Sequence, residues 1–274
     1  MKTVHLIAGA RPNFVKIAAL YHAFKKDGQI NPAIVHTGQH YDFNMSGVFF
    51  DELEIPQPEI YLNTNGRTHA EQTGRIMMAY EVELMKNHAD IVLVVGDVNS
   101  TVACALTAKK LGIKVAHIEA GLRSRDLLMP EEINRIVTDS ISDYLFVTEK
   151  SGVENLRLEG RNDKDIFLVG NVMIDTLFKQ LVKLNGDKPK NPFVVATLHR
   201  PSSVDDRYII KGIIEALRKI SHDMPVILPV HPRTEKNISR WGFVTEGISF
   251  VPPKSYMDFL QLWRNASLVI TDSG

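Results

Sequence analysis

Short apolar runs alternate with amphipathic stretches through most of the chain. In the first half the runs predict strands at Thr3–Ala8, Pro32–His36, Ile91–Val95, Lys114–Ile118, Tyr144–Val147 and Ile166–Val169. After the first run Phe14, Ile17, Ala18, Tyr21 and Phe24 recur at helical spacing, so one helix face would lie on a sheet. Further helices are expected at about 44–53, 69–86 and 101–111, from just after Glu131 to about Asp143, and at 150–158 and 173–184. An irregular, proline-containing stretch fills the gap up to Gly66. Strands alternating with helices argue for a parallel α/β sheet.

Residues 185–192, NGDKPKNP, are polar and turn-rich, and they read as a linker between a first domain, 1–184, and a second, 193–274. The pattern then restarts, with strands at Phe193–Thr197 and Val226–Val230, a short one closing at Phe250-Val251-Pro252, and a last one at Leu268–Thr271. Helices are expected at about 205–220 and 256–263. A doubly wound domain whose final strand runs into Asp272-Ser273-Gly274 leaves one edge and one helical face uncovered. The second domain is therefore expected to be incomplete.

Candidate chemistry concentrates between Asp90 and Arg135. The apolar run at Ile91 ends in Gly96-Asp97, an alanine-rich helix follows, and the next run ends in Glu119-Ala120-Gly121. That is a β-α-β unit with a carboxylate at the C-terminal end of each strand, the side on which open parallel sheets hold ligands. Glu131 lies in a loop that could return to the same crevice. Crowded carboxylates suit proton transfer, because burial and mutual repulsion can bring a pKa toward neutrality; capping of the turns by Asp97 and Glu119 is the bland alternative. After the first strand, Gly9 permits a tight turn, Pro12 suits a helix start, and Arg11 and Lys16 place two cations where a phosphate would be received. Two solvated basic residues would be the bland reading there.

Composition narrows the field. Lys plus Arg and Asp plus Glu are equal at 32 each, so no net field favours nucleic acid or a membrane surface. No stretch approaches the roughly 20 apolar residues of a membrane span. The first apolar run is too short for a secretory signal, so a soluble, cytoplasmic protein is expected. The one cysteine, Cys104, sits among alanines and reads as core. His117-x-Glu119 has zinc-ligand character, but without a cysteine pair to complete the site no metal is expected.

The blocks GARPNFVK, TGQHYDFNMS, VVGDVNST, HIEAGLRS, MPEEINR, GNVMIDTL, LHRPSSVDD and VITDSG run in order from residue 9 to 274. In this the chain resembles the non-hydrolysing UDP-N-acetylglucosamine 2-epimerases. The resemblance implies two Rossmann-like domains of the glycosyltransferase-B type, with a nucleotide sugar in the cleft between them. It implies an isomerase that inverts C2 of the sugar without NAD, metal or other cofactor, by elimination and re-addition of UDP through 2-acetamidoglucal. A homodimer and a place in cell-surface polysaccharide biosynthesis go with it. Asp97, Glu119 and Glu131 match the acid/base carboxylates, with no assignment of which serves which face. His199 matches a histidine that assists the leaving diphosphate, Arg11 and Lys16 match phosphate-side residues, Phe259 an aromatic near the uracil, and Ser273 with Gly274 the diphosphate-holding turn. Gln39, His40 and His231 match a candidate activator site for a second nucleotide sugar, although Asp42 stands where the family often has Gln. The TGQHYD version of the second block also resembles relatives acting on UDP-2,3-diacetamido-glucuronate. Substituents at C3 and C6 are thus open, and a glycosyltransferase, a hydrolysing epimerase or a non-catalytic nucleotide-sugar binder are the competing readings.

Overall fold

Seven parallel strands build the first of two sheets. The computed structural model describes residues 1–38, 49–184 and 191–272, with only the backbone of Pro201, Pro232 and Arg233. Its strands are β1 (Lys2–Ala8), β2 (Ile30–His36), β3 (Ile60–Tyr61), β4 (Ile91–Val95), β5 (Lys114–Ala120), β6 (Tyr144–Val147) and β7 (Ile166–Leu168). They lie in the order β3-β2-β1-β4-β5-β6-β7, every pair parallel. The chain winds outward from β1 in one direction and from β4 in the other. Their C-terminal ends therefore flank the point where the winding reverses, and helices covering the two sheet faces leave a crevice there.

The helices on this sheet are α1 (Arg11–Asp27), α2 (His69–Lys86), α3 (Asn99–Lys110), α4 (Pro130–Ile141), α5 (Lys150–Leu158) and α6 (Val172–Leu181). Helix α3 is buried along most of its length because its small residues, Ala103, Cys104, Ala105 and Ala108, let it approach β4 and β5 closely. Burial pushes the Cys104 thiol pKa up, so it is an inert packing group. On α2 Tyr80 is fully buried, Met77 packs on the core, and Met78 is 64% exposed beside Val82 and Met85. Helix α6 is tied back to α1 by the Thr176 hydroxyl, which donates to the Val15 carbonyl at 2.8 Å.

Four strands make the second sheet: β8 (Val194–Thr197), β9 (Val226–Pro229), β10 (Ile248–Val251) and β11 (Leu268–Thr271), in the order β10-β9-β8-β11. A short helical turn, Pro201–Val204, precedes α7 (Arg207–Ser221), and α8 (Pro232–Arg240) and α9 (Tyr256–Asn265) follow. The Asp206 side chain caps α7 by accepting from the N–H groups of Tyr208 and Ile209. Its stripe of Ile210, Ile214 and Leu217 is buried against this sheet's core. By compactness the chain divides into Met1–Lys179 and Gln180–Gly274.

β3 and α8 depart from the sequence reading. β3 falls in the stretch read as irregular, where only two residues pair with the edge of β2. Helix α8 was not anticipated because its sequence, PRTEKNISR, carries a single large apolar residue, Ile238, which is buried. The linker residues 185–190 lie outside the described chain.

Candidate active site

Three loops meet where the winding reverses. After β1 the Asn13 side chain accepts from the N–H groups of Gly9 and Ala10, at 3.1 and 2.9 Å, and its amide donates to the Val95 carbonyl at the end of β4. One buried amide thus closes the first turn of α1 and fastens it to the neighbouring strand. Gly9 is needed here for space, not for an unusual φ: a Cβ would stand 2.1 Å from Ser100 Oγ. Ser100 and Thr37 hydroxyls are themselves hydrogen-bonded at 2.7 Å beneath this loop.

Asp97 follows Gly96 at the end of β4. Its carboxylate pairs with Arg135 of α4, and its side chain is 31% exposed. Arg135 also pairs with Glu132, one turn earlier on the same helix. Glu132 is buried and further accepts from the N–H groups of Ser124 and Arg125, at 3.0 and 2.9 Å. Burial opposes its charge, but those two donors and the Arg135 guanidinium hold its carboxyl below the usual range. Asn134 adds a hydrogen bond from its amide to the Asp97 carbonyl at 2.9 Å. The motif MPEEINR therefore acts as a clamp on the β4 end.

Glu119 occupies an irregularity at the end of β5, where the register with β6 shifts between Ile118 and Ala120. Its backbone is left-handed, φ 70°, an uncommon conformation for a residue with a long side chain. The bulge re-aims the side chain, whose carboxylate pairs with Lys16 of α1; the two side chains are 13% and 11% exposed. Lys16 is thus drawn in against a carboxylate instead of standing in solvent. Gly96 lies directly beside the pair, since a Cβ there would sit 3.1 Å from Lys16 Nζ and 3.5 Å from Glu119 Oε2. Each of the two strand-end carboxylates is paired with a cation, Asp97 with Arg135, which it shares with Glu132, and Glu119 with Lys16.

Glu131 is in the first turn of α4, not in a loop, because Pro130 starts the helix one residue earlier. It is half-buried beside the clamp formed by Glu132 and Arg135. Arg11 is exposed at the start of α1. Between Asp97 and Glu119 lies His117, fully buried, whose Nδ1 faces Asp139 at 2.7 Å and Nε2 faces the Gly96 carbonyl at 2.8 Å. Both ring nitrogens are thereby engaged, and neither is left to ligate zinc with Glu119. Among the described residues no cluster of three metal-ligating side chains exists.

In the second unit His199 follows β8 and is 60% exposed. Asp272, after β11, accepts from the backbone N–H groups of His199 and Arg200 and faces His199 Nδ1 at 2.7 Å. Burial works against its charge, yet the Arg200 and His199 N–H groups keep the Asp272 carboxyl below its usual range. Phe259 is half-buried on α9, and His231 stands at the start of α8 with its carbonyl accepting from the N–H groups of Thr234 and Glu235. Gln39, His40, Ser273 and Gly274 lie outside the described residues.

Sequence reasoning named the carboxylates but missed Arg135, Glu132, Asn134 and Asp139 around them, and Asp272 as the partner of His199. The signal was present in the quoted blocks around them, but nothing local in sequence pairs a strand-end acid with a cation many residues away.

The model of the UDP-N-acetylglucosamine 2-epimerase family matches residues 22–274. The UDP-2,3-diacetamido-2,3-dideoxy-D-glucuronate 2-epimerase of Pseudomonas aeruginosa is 44% identical over 274 residues, 98% of this chain and 77% of that protein. The UDP-N-acetylglucosamine 2-epimerase of Methanocaldococcus jannaschii is 39% identical over 286 residues, covering 98% and 78%. A crystal structure of that archaeal enzyme in complex with UDP-GlcNAc and UDP superposes with a TM-score of 0.85 over 99% of this chain and 79% of that one. Such likeness gives the fold, α/β of the glycosyltransferase-B type, and the chain spans about three quarters of the length of these relatives. A family model matching residues 22–274, with relatives of this much identity, leads to one conclusion: the chain belongs to the UDP-N-acetylglucosamine 2-epimerase family.

Proposed function

We propose that this protein inverts C2 of a UDP-N-acetylated sugar, interconverting UDP-GlcNAc and UDP-ManNAc. One carboxylate takes the C2 proton while the bond from C1 to the diphosphate oxygen breaks, leaving 2-acetamidoglucal and UDP. UDP then re-adds at C1, and a carboxylic acid delivers a proton to the opposite face of C2. The observation that carries this reading is the placement of Asp97 and Glu119 on adjacent strand ends, each paired with a cation. A group that trades a proton must exist in both states, and a fixed cation moderates the cost of its charged form.

Asp97, Glu119 and Glu131 are the acid/base candidates. His199, oriented by Asp272, would offset charge on the leaving diphosphate, with Arg11 and Lys16 on the phosphate side. Phe259 would pack near the uracil, and Ser273 and Gly274 would hold the diphosphate. Gln39, His40 and His231 are proposed for an activator molecule. The domain of residues 1–184 would supply the carboxylates and that of 193–274 the nucleotide contacts. The exposed stripe of Met78, Val82 and Met85 on α2 fits a homodimer contact, and a cytoplasmic location suits a nucleotide-sugar substrate.

Incubation with UDP-GlcNAc in heavy water tests the reading. Interconversion with deuterium appearing at C2 is expected, since a proton taken by a side chain can exchange before its return. Release of free sugar, transfer to an acceptor, or binding without turnover would each overturn it in favour of a different class. A second reading, action on UDP-2,3-diacetamido-glucuronate, is supported by the 44% identity to the Pseudomonas enzyme. Parallel assays with the two sugars separate them.

A further inference from the structure

Beneath the two carboxylates runs a buried network that the proposed chemistry does not use. His117, on β5, is fully enclosed, and its Nε2 lies 2.8 Å from the carbonyl oxygen of Gly96, the residue before Asp97. Its Nδ1 lies 2.7 Å from Asp139 Oδ1 on α4. The second Asp139 oxygen accepts the Gly121 N–H at 3.0 Å and faces Arg123 at 2.7 Å. Arg123 in turn makes a two-pronged contact with Glu159, at 2.7 and 2.5 Å.

We infer that His117 is a positioning residue for the two strand-end carboxylates: with a proton on each ring nitrogen, it ties the Gly96 carbonyl that precedes Asp97 to Asp139, which itself holds the Gly121 N–H that follows Glu119. The inference rests on the acid/base reading of Asp97 and Glu119.

The protons follow from the partners. A carbonyl oxygen can only accept, so Nε2 carries hydrogen. Asp139 already takes hydrogen bonds from Gly121 and Arg123, as a carboxylate does, so the Nδ1 side must donate as well. Burial works against Asp139's charge, but His117 and Arg123 outweigh it and hold its carboxyl below the ordinary range.

The geometry explains what the network is for. Glu119 is a bulged, left-handed residue, and such a backbone persists only where its surroundings over-determine it. His117 and Gly121, two residues before and two after it, are both fixed to the one carboxylate of Asp139. Gly96 is gripped on both sides, its N–H donating to the Ile118 carbonyl at 3.1 Å and its own carbonyl accepting from His117. The ends of β4 and β5 are thereby locked to each other independently of the ion pairs that face the crevice. A displacement of about 1 Å at such a site costs on the order of 10²-fold in rate.

Two measurements test this. In protein labelled with ¹⁵N-histidine, with His117 assigned by its absence in His117→Gln, both ring nitrogens should resonate as N–H at neutral pH. A bare ring nitrogen would overturn the assignment. Kinetics with the two UDP-sugars then read its role. The Gln amide can reach the place of Nε2 and keep the bond to Gly96, whereas the Asn amide sits at the place of Nδ1 and loses it. His117→Asn should lose kcat by about 10²-fold with KM little changed, and His117→Gln by less than about tenfold. Equal losses of kcat, or losses that track only the folded fraction in thermal unfolding, would leave His117 a core residue and sink the proposal. A parent protein that turns over neither sugar sinks the epimerase reading instead, and the nitrogen resonances still decide the network. Should His117→Asn not fold, the parent resonances and His117→Gln decide it.

Discussion

The Lys16 ammonium meets the Glu119 carboxylate across 103 positions of sequence, and Glu119 makes that contact from a left-handed backbone. Both side chains are nearly enclosed, so each charge depends on the other. Lys16→Met leaves the carboxylate buried without its partner and should cost about 3 kcal/mol of stability along with turnover. The double variant Lys16→Met, Glu119→Gln should recover most of the stability and none of the activity. Urea unfolding and an epimerisation assay on the four proteins measure both. Additive losses of stability would show that the pair is not coupled.

Asp97 stands in a more open place, and its removal should act on chemistry before stability. Asp97→Asn is expected to lower kcat by about 10²–10⁴-fold, with a thermal midpoint close to the parent's. Arg135→Lys should lower turnover too, because one ammonium cannot serve the Asp97 and Glu132 carboxylates as the guanidinium fork does. It should also lower stability, since Glu132 is buried and loses a counter-charge. A near-parental rate for Asp97→Asn would take that residue out of the mechanism.

Asp272 holds His199 through its backbone and its ring. If the histidine acts as proposed, Asp272→Ala and His199→Ala should each depress kcat, and the double variant should be little worse than either alone. Multiplying effects in steady-state kinetics would mean that the two act separately.

Two buried imidazoles give the stability a pH signature. Burial lowers the His5 and His36 pKa values from 6.5 to about 4. Between those values the unfolded chain binds more protons than the folded one, so stability is complete above pH 6.5 and is lost as pH falls toward 4. Each group accounts for about 3 kcal/mol across that window as an order of magnitude. His5→Asn keeps a polar partner for the Tyr80 hydroxyl, 3.1 Å from Nδ1 in the parent, but does not titrate. The difference in unfolding free energy between parent and His5→Asn should narrow or reverse as the pH is lowered. A constant difference would place the His5 titration outside the window.

Much of the fold lies in local pattern. Apolar runs bounded by Gly, Asp and Asn mark the strands, and the helices between them follow from spacing, because both periods are fixed within a few residues by side-chain direction. Asp97 and Glu119 were legible for the same reason: a carboxylate just after a parallel strand can only emerge on the ligand side of the sheet. β3 and α8 were not, since two paired residues or one buried isoleucine leave no periodic signal and only their neighbours stabilise them. What tertiary structure alone decided is the electrostatics of the site. Lys16 looks solvated in sequence and becomes the partner of Glu119 once α1 packs near the end of β5. His117 looks like half a metal site and becomes the tie between β4 and α4. Those partners stand far apart along the chain, and Coulombic and hydrogen-bond energies depend on distance in space, which the strand order sets and the sequence carries only in the whole.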